Sequence, residues 1–158
     1  MTRVALVAAA LIVTAAAPAR AGWRSLELML IDAGQGGAAG KRCVDRVAAY
    51  FKAQGEDVDL VRRDLAAVRG KLPATLPASV LAWTDATTAP LRARQGDDPL
   101  DAIVVIDCRP DARTLDVVID PTPDGVATLR LRAVALDAPV LDWVARRIQA
   151  AAYVGLEL

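Results

Sequence analysis

Two apolar runs joined by a polar segment lie at residues 102–119, AIVVIDC-RPDAR-TLDVVI. The first run, residues 102–108, is rich in Ile and Val, which is typical of a strand buried inside a sheet. Residues 109–113 combine a proline with charged side chains and predict a turn. The second run, residues 115–119, predicts an antiparallel neighbour of the first strand. A sheet is therefore the expected centre of the fold.

The sequence after this pair predicts one more strand and a helix. Residues 127–133, ATLRLRA, alternate strictly between apolar and polar, which places Arg130 and Arg132 on the wet face of a strand. Asp137 is a good N-cap for the last helix, with Pro139 in its first turn. The residues expected to face the core from this helix are Leu141, Val144, Ala145, Ile148 and Ala152.

The sequence before the pair predicts a βαβ unit. Leu26–Asp32 is apolar on both faces and predicts a buried strand. A glycine-rich turn follows at residues 34–40, and residues 38–53 have helical periodicity, with an inward stripe of Cys43, Val47 and Phe51. A short second strand is expected at residues 58–61.

The middle of the chain carries weaker signals. Leu65, Val68 and Leu72 mark a brief helix that Pro73 ends. Residues 77–88 predict a further helix, limited by Pro90, and a polar loop follows.

The predicted order of elements is β-α-β-α-(α)-β-β-β-α. A right-handed βαβ start followed by an antiparallel meander predicts a single mixed sheet of about five strands with helices packed on it, an α/β (α+β) fold. In this topology the first and third strands are parallel neighbours.

This order resembles the small periplasmic α/β domain found at the N-terminus of TolB and in CsgG- and LpoB-like envelope proteins. Residues 101–153, about a third of the chain, carry the resemblance: a DAIVVIDC strand, two turn-linked strands and a helix. The resemblance implies a protein-binding role in an envelope complex rather than catalysis.

The N-terminus has the pattern of a secretory signal. Arg3 supplies a positive charge, residues 4–17 are apolar, and Ala19-Arg20-Ala21 fits the small-x-small cleavage rule. Fourteen residues are too few to span a bilayer as a helix, which takes roughly 20. We expect residues 1–21 to be a signal peptide, residues 22–158 to be a single α/β domain, and the mature protein to be periplasmic or secreted, without a membrane span.

Composition excludes several classes of site. The 158 residues include no histidine, which removes Ser-His and Cys-His nucleophiles and histidine metal sites, and two cysteines are too few for an all-thiolate zinc site. Loss of the leader takes two of the 19 basic residues and none of the 19 acidic ones, leaving a net charge of −2. That balance argues against a nucleic-acid partner.

The glycine turn is the main motif-like feature. Gly34-x-Gly36-x-x-x-Gly40 lies between a strand and a helix, as a dinucleotide-binding turn does. Its spacing is loose, and nicotinamide dinucleotides are cytoplasmic cofactors, so a plain βα loop is the favoured interpretation and no cofactor is expected. An anion or small-ligand loop is the alternative.

Two carboxylates end apolar strands that should be parallel neighbours. The carboxyl ends of such strands flank the point where open α/β sheets bind ligands, and two nearby carboxylates there serve as acid and base in some sites. The competing interpretation is that each carboxylate only caps the turn that follows its strand. The candidate ligand-binding residues are Asp32, Gly34, Gln35, Gly36, Asp107 and Arg109; no metal-ligating or catalytic set is expected.

Cys43 and Cys108 are predicted to form a disulfide. Export places both in an oxidising compartment, and the start of the first helix lies at the same edge of the sheet as the end of the third strand.

Taken together, these patterns predict an exported binding or scaffold module whose partner is another envelope protein, rather than an enzyme. The alternative is a small-ligand or anion-binding domain, or a weak hydrolase, with its site at the carboxyl ends of strands one and three. The three tryptophans, Trp23, Trp83 and Trp143, are expected in the core or at its rim, with partner binding as the alternative role.

Overall fold

The computed structural model describes residues 25–54, 58–92, 100–122 and 127–154. Five strands are found there: β1 (Leu26–Asp32), β2 (Val58–Asp64), β3 (Ala102–Arg109), β4 (Thr114–Pro121) and β5 (Leu129–Ala133). They form one sheet in the order β2-β1-β3-β4-β5. The predicted signal peptide, residues 1–21, lies outside the described residues.

Four α-helices accompany the sheet in the described ranges: α1 (Gly37–Ala53), α2 (Leu65–Val68), α3 (Asp85–Arg92) and α4 (Ala138–Val154). Single 3₁₀ turns lie at Arg69–Lys71 and Val80–Ala82. None of the helices in the described segments combines the length and apolar character that crossing a bilayer requires.

The sheet is mixed. β2, β1 and β3 run parallel, and β4 and β5 continue antiparallel from β3. The predicted α/β class, the single five-stranded sheet and the order of elements are confirmed. β3 lies at the centre, which explains its continuous Ile/Val run, since both of its faces are buried.

One face of the sheet packs on α1 and α4. Alternate residues of each strand point to this face, where they meet the apolar stripes of the two helices. The stripe of α1 includes Cys43, Val47 and Phe51, as predicted. The five residues predicted to face inward from α4 are all buried. Asp137 caps α4 as predicted, because its Oδ1 accepts a hydrogen bond from the Val140 N–H at 3.0 Å.

The opposite face packs on the chain between β2 and β3. Ile31, Ile103, Val105 and Val118 form its floor. The residues that cover them from the connecting segment are Val68, Leu72, Val80, Trp83, Leu91 and Leu100. Trp83, 2% exposed, is a core residue, as expected for it.

The middle of the chain differs from the sequence prediction in detail. β2 continues to Asp64, three residues past its predicted end. The helix predicted over residues 77–88 is divided, because Trp83 has an extended backbone that separates a 3₁₀ turn from α3. Pro90 lies inside α3 rather than ending it. Thr84 starts this helix: its carbonyl accepts the N–H groups of Thr87 and Thr88.

Candidate functional site

The glycine turn begins at the carboxyl end of β1. Asp32 Oδ1 accepts the N–H of Gly34 at 2.9 Å, so this carboxylate caps the turn. Gly34 has φ +72° and Gly37 has φ +56°, a region that side chains with a Cβ rarely adopt. The backbone path therefore explains two of the glycines.

Two further glycines are explained by close packing. A Cβ built on Gly36 would lie 1.8 Å from the carbonyl oxygen of Cys108, and one on Gly40 would lie 2.6 Å from the same atom. The first turn of α1 thus lies directly against the end of β3. This contact fills the space beside Gly36 with protein backbone rather than with a ligand.

A disulfide joins the same two elements. Cys43 and Cys108 are bonded, with their Cα atoms 6.3 Å apart, which confirms the predicted pair. The glycines allow the close approach, and the disulfide fixes it.

A cleft of about 380 Å³ opens beside the turn, at the carboxyl ends of β1 and β2. Its lining consists of Asp32, Ala33, Gly34, Gly37, Lys41, Asp64, Leu65 and Ala66. Lys41 lies one turn into α1. Opposite charges therefore line this small opening.

Arg62 supports the carboxylate wall of the cleft. Its Nη2 lies 3.6 Å from Asp32 Oδ2, and its Nη1 pairs with Asp45 on α1. Asp32 thus has both a backbone donor and a guanidinium beside it, and these contacts hold its carboxylate in place at the cleft.

The other predicted residues form a separate chain of hydrogen bonds. Arg109 donates from Nε to Asp107 Oδ2 at 2.7 Å, and its Nη2 lies 2.6 Å from the same oxygen in an ion pair. The same Nη2 lies 2.7 Å from Gln35 Oε1, and Gln35 donates to the carbonyl of Ala78 at 3.3 Å. Hydrogen bonding to Asp107 and its negative charge raise the pKa of Arg109 above its ordinary value. Asp107 Oδ1 is buried and has no partner among the described residues, so it is able to accept one further hydrogen bond.

The pairing register separates the two predicted carboxylates. Asp32 pairs with Ile106, so the side chain of Asp107, one residue later, projects from the opposite face of the sheet. The six candidate residues therefore occupy three places: Asp32 and Gly34 at the cleft, Gly36 against Cys108, and the remaining three on the other face. An acid–base pair of Asp32 and Asp107 does not follow from this arrangement.

Lys41 and Asp64 are charged residues of the cleft that were not among the six candidates. Asp64 is the register partner of Asp32 on the neighbouring parallel strand. If the second strand had been predicted to continue for three more residues, Asp32 and Asp64 would have been expected together at the carboxyl ends of two neighbouring parallel strands. The position of Lys41, directly after Gly40 in the glycine turn, was a weaker indication that it belongs to the site.

The face that carries Asp107 has further carboxylate–arginine pairs. Asp116, the β4 partner of Asp107, receives two hydrogen bonds from Arg132 at 2.7 and 2.9 Å. Asp120, fully buried, binds Arg92 at 2.7 Å. Arg132 is exposed, as predicted, and it is also paired. In the parts of the chain that the structure describes, no three acidic or cysteine side chains lie close enough to hold a metal ion.

The tryptophans differ in their environments. Trp83 is in the core, and Trp23 lies outside the described residues. Trp143, on α4, is 41% exposed, and the Arg147 guanidinium carbon lies 5.3 Å from its ring centroid. Comparison with known proteins found no match of this chain to a family model, a curated protein or a solved structure.

Proposed function

We propose that this chain is an exported binding module of the cell envelope that uses the outer face of α4 to dock on another protein. The observation that carries the proposal is the exposed indole of Trp143. Large aromatic side chains at the surface of a folded domain are enriched at protein interfaces, where they supply much of the binding energy.

The surroundings of Trp143 indicate the chemistry of the partner. Arg147 stacks on the indole, and Arg146 is exposed beside it. On the neighbouring α1, Arg46 reaches Asp142 with its Nη2 at 3.0 Å. Arg146 and Arg147 therefore lie on the same stretch of α4 as the ring, and the Arg46–Asp142 ion pair joins this stretch to α1. A partner that offers an apolar pocket with an acidic rim would complement this surface.

The disulfide supports the export part of the proposal. Bonds such as Cys43–Cys108 form and persist in oxidising compartments and are rare in the cytoplasm. The signal-like residues 1–21 agree with this. The resemblance of residues 101–153 to the periplasmic domain of TolB and its envelope relatives favours protein binding as the role of the exported domain.

A photo-crosslinking amino acid at position 143 tests the proposal in a producing cell. We expect a covalent adduct to one protein from position 143 and none from position 89, an exposed alanine on α3. Trp143→Ala should abolish co-purification of that protein while leaving the domain folded, with a loss in the free energy of unfolding of no more than about 2 kcal/mol. Equal adducts at both positions, or adducts to lipid, would count against a protein-docking face.

A second candidate function is small-ligand binding, and the cleft of about 380 Å³ favours it. Asp32 and Asp64 suit a positively charged group of a ligand, and Lys41 at the start of α1 suits a negative one. The cleft lies between β1 and β2 rather than between strands one and three, so it shares Asp32 and Gly34 with the predicted set and adds Lys41 and Asp64.

Thermal-shift measurements with phosphates, nucleotides and sugars test the second candidate. A ligand of the cleft should raise the melting temperature of the wild-type protein, and Asp32→Ala and Lys41→Ala should each remove the shift. Asp111→Ala, at an exposed turn, is the matched control and should leave it unchanged. A shift that survives both cleft variants would place the ligand elsewhere.

A further inference from the structure

The outer edge of β2 is open in the described part of the chain. β2 is the first strand of the sheet, and β1 is its partner there. A strand with a free edge offers backbone donors and acceptors to another strand. The seven residues of β2, VDLVRRD, are the surface that such a strand would meet.

The charges of β2 are complementary to a second copy of β2. If two copies run antiparallel with Val61 opposite Val61, Asp59 of each copy lies opposite Arg63 of the other. The symmetric pairing creates this opposite-charge pair twice. Asp59 and Arg63 are both exposed, and neither forms an ion pair within the described residues. The Arg63 guanidinium instead lies along its own backbone, 3.0 Å from the Arg62 carbonyl oxygen.

The other residue pairs in this register are compatible with it. Leu60, half-buried, would lie opposite Arg62, whose charge is already neutralised by Asp45 and Asp32. Val58 would lie opposite Asp64. The pairing therefore sets no two like charges directly opposite each other.

The other edge of the sheet lacks this complementarity. In β5 an antiparallel pairing about Leu131 would place Arg130 opposite Arg132, which are like charges. Arg130 and Arg132 are also held by their own chain, through the carbonyls of Leu81 and Trp83 and through Asp116. Self-pairing is thus favoured at β2 and disfavoured at β5.

We propose that β2 pairs antiparallel with β2 of a second copy of this chain, centred on Val61, to give a twofold-symmetric dimer with one continuous ten-stranded sheet. The opposite charges of Asp59 and Arg63 then select this register and this partner strand. The competing role of such charges is to prevent edge association.

Charge reversal separates these two roles. Sedimentation of the oxidised wild-type protein should show a species of twice the mass of one chain. D59R and R63D each place like charges opposite each other and should weaken the dimer by about tenfold or more. The double variant D59R/R63D restores opposite charges and should recover the wild-type dissociation constant to within about threefold. Far-UV circular dichroism checks that each variant is folded.

Amide hydrogen exchange locates the interface. Exchange in β2 should slow as protein concentration rises, while exchange in β5 should stay constant. A protein that remains monomeric up to about 200 μM, above the micromolar range of ordinary specific complexes, would overturn the proposal. The proposal would also be overturned if D59R and R63D each left the dissociation constant of the dimer unchanged, or if dimerisation slowed exchange in β5 instead of β2.

Discussion

Gly36 and Gly40 lie where α1 meets the backbone at the end of β3. The carbonyl oxygen of Cys108 occupies the space that a Cβ at either position would need. A stretch that resembles a nucleotide-binding turn in sequence therefore serves, at these two positions, to let a helix approach a strand. Asp32 has a similar local role, since it caps the turn and also forms one wall of the cleft.

Gly36→Ala is expected to destabilise the fold. The added methyl group would overlap a backbone atom that cannot move freely, because the Cys108 backbone belongs to the central strand. We expect the free energy of unfolding to fall by about 3 kcal/mol in urea denaturation followed by tryptophan fluorescence. Gly70→Ala is the control: nothing lies within 4 Å of its added Cβ, and the change should stay below about 1 kcal/mol. Equal effects of the two substitutions would contradict the packing argument.

At the scale of elements, β5 is tied to the segment that crosses the second face of the sheet. Arg130 donates to the carbonyls of Leu81 and Trp83, at 2.9 and 2.8 Å. Thr128, just before the strand, donates its hydroxyl to Asp85 at the start of α3. These contacts connect Thr128 and Arg130 to elements much earlier in the chain.

The Thr128–Asp85 contact should be visible in a titration. The hydroxyl of Thr128 is the main cause that lowers the pKa of Asp85 below its ordinary value of 3.8. We expect Thr128→Val to raise the pKa of Asp85 toward 3.8 in a carboxyl-carbon NMR titration, and Thr128→Ser to leave it low.

The sign of the pH dependence follows from the same shift. Because the folded pKa of Asp85 is lower than the unfolded one, its contribution to stability is present above the unfolded pKa and is lost as the pH falls through the folded pKa. Below about pH 4 the wild-type protein should lose stability more steeply than Thr128→Val. Identical acid titrations for the two proteins would show that the hydroxyl does not act on Asp85.

At the scale of the molecule, the Cys43–Cys108 disulfide joins the N-terminal βαβ unit to the antiparallel meander. It closes a loop of 65 residues between the first helix and the central strand. Both sulfur-bearing residues are buried, at 7% and 2% exposure, so the bond lies within the α1–sheet core rather than at the surface.

Removal of the disulfide should lower stability substantially. The chain-entropy relation for a 65-residue loop gives about 4 kcal/mol, and we expect this loss in urea denaturation of Cys43→Ser/Cys108→Ser compared with the oxidised protein. Reduced wild-type protein should match the double variant. Two thiols that react in unfolded, unreduced protein, or a loss below about 1 kcal/mol, would contradict a structural role for the bond.

Elements whose signals are local could be predicted from the amino-acid sequence. The Ile/Val runs, the alternation in β5, the Asp137 cap and the stripes of α1 and α4 each follow from short-range periodicity and turn chemistry. The cysteine pairing also followed, because element order places the start of α1 and the end of β3 at one edge. The division of residues 77–88 was not readable, since packing of Trp83 in the core overrode local helix propensity.

The grouping of polar residues depends on how the strands pair. A sheet sends successive side chains to opposite faces, so a register offset of one residue separates Asp32 from Asp107 although both lie near the carboxyl ends of parallel neighbours. The same register joins Asp32 to Asp64, which lies beyond the predicted end of the second strand. Strand composition predicts which residues form the sheet, but pairing register decides which polar side chains share a face, and that information is non-local.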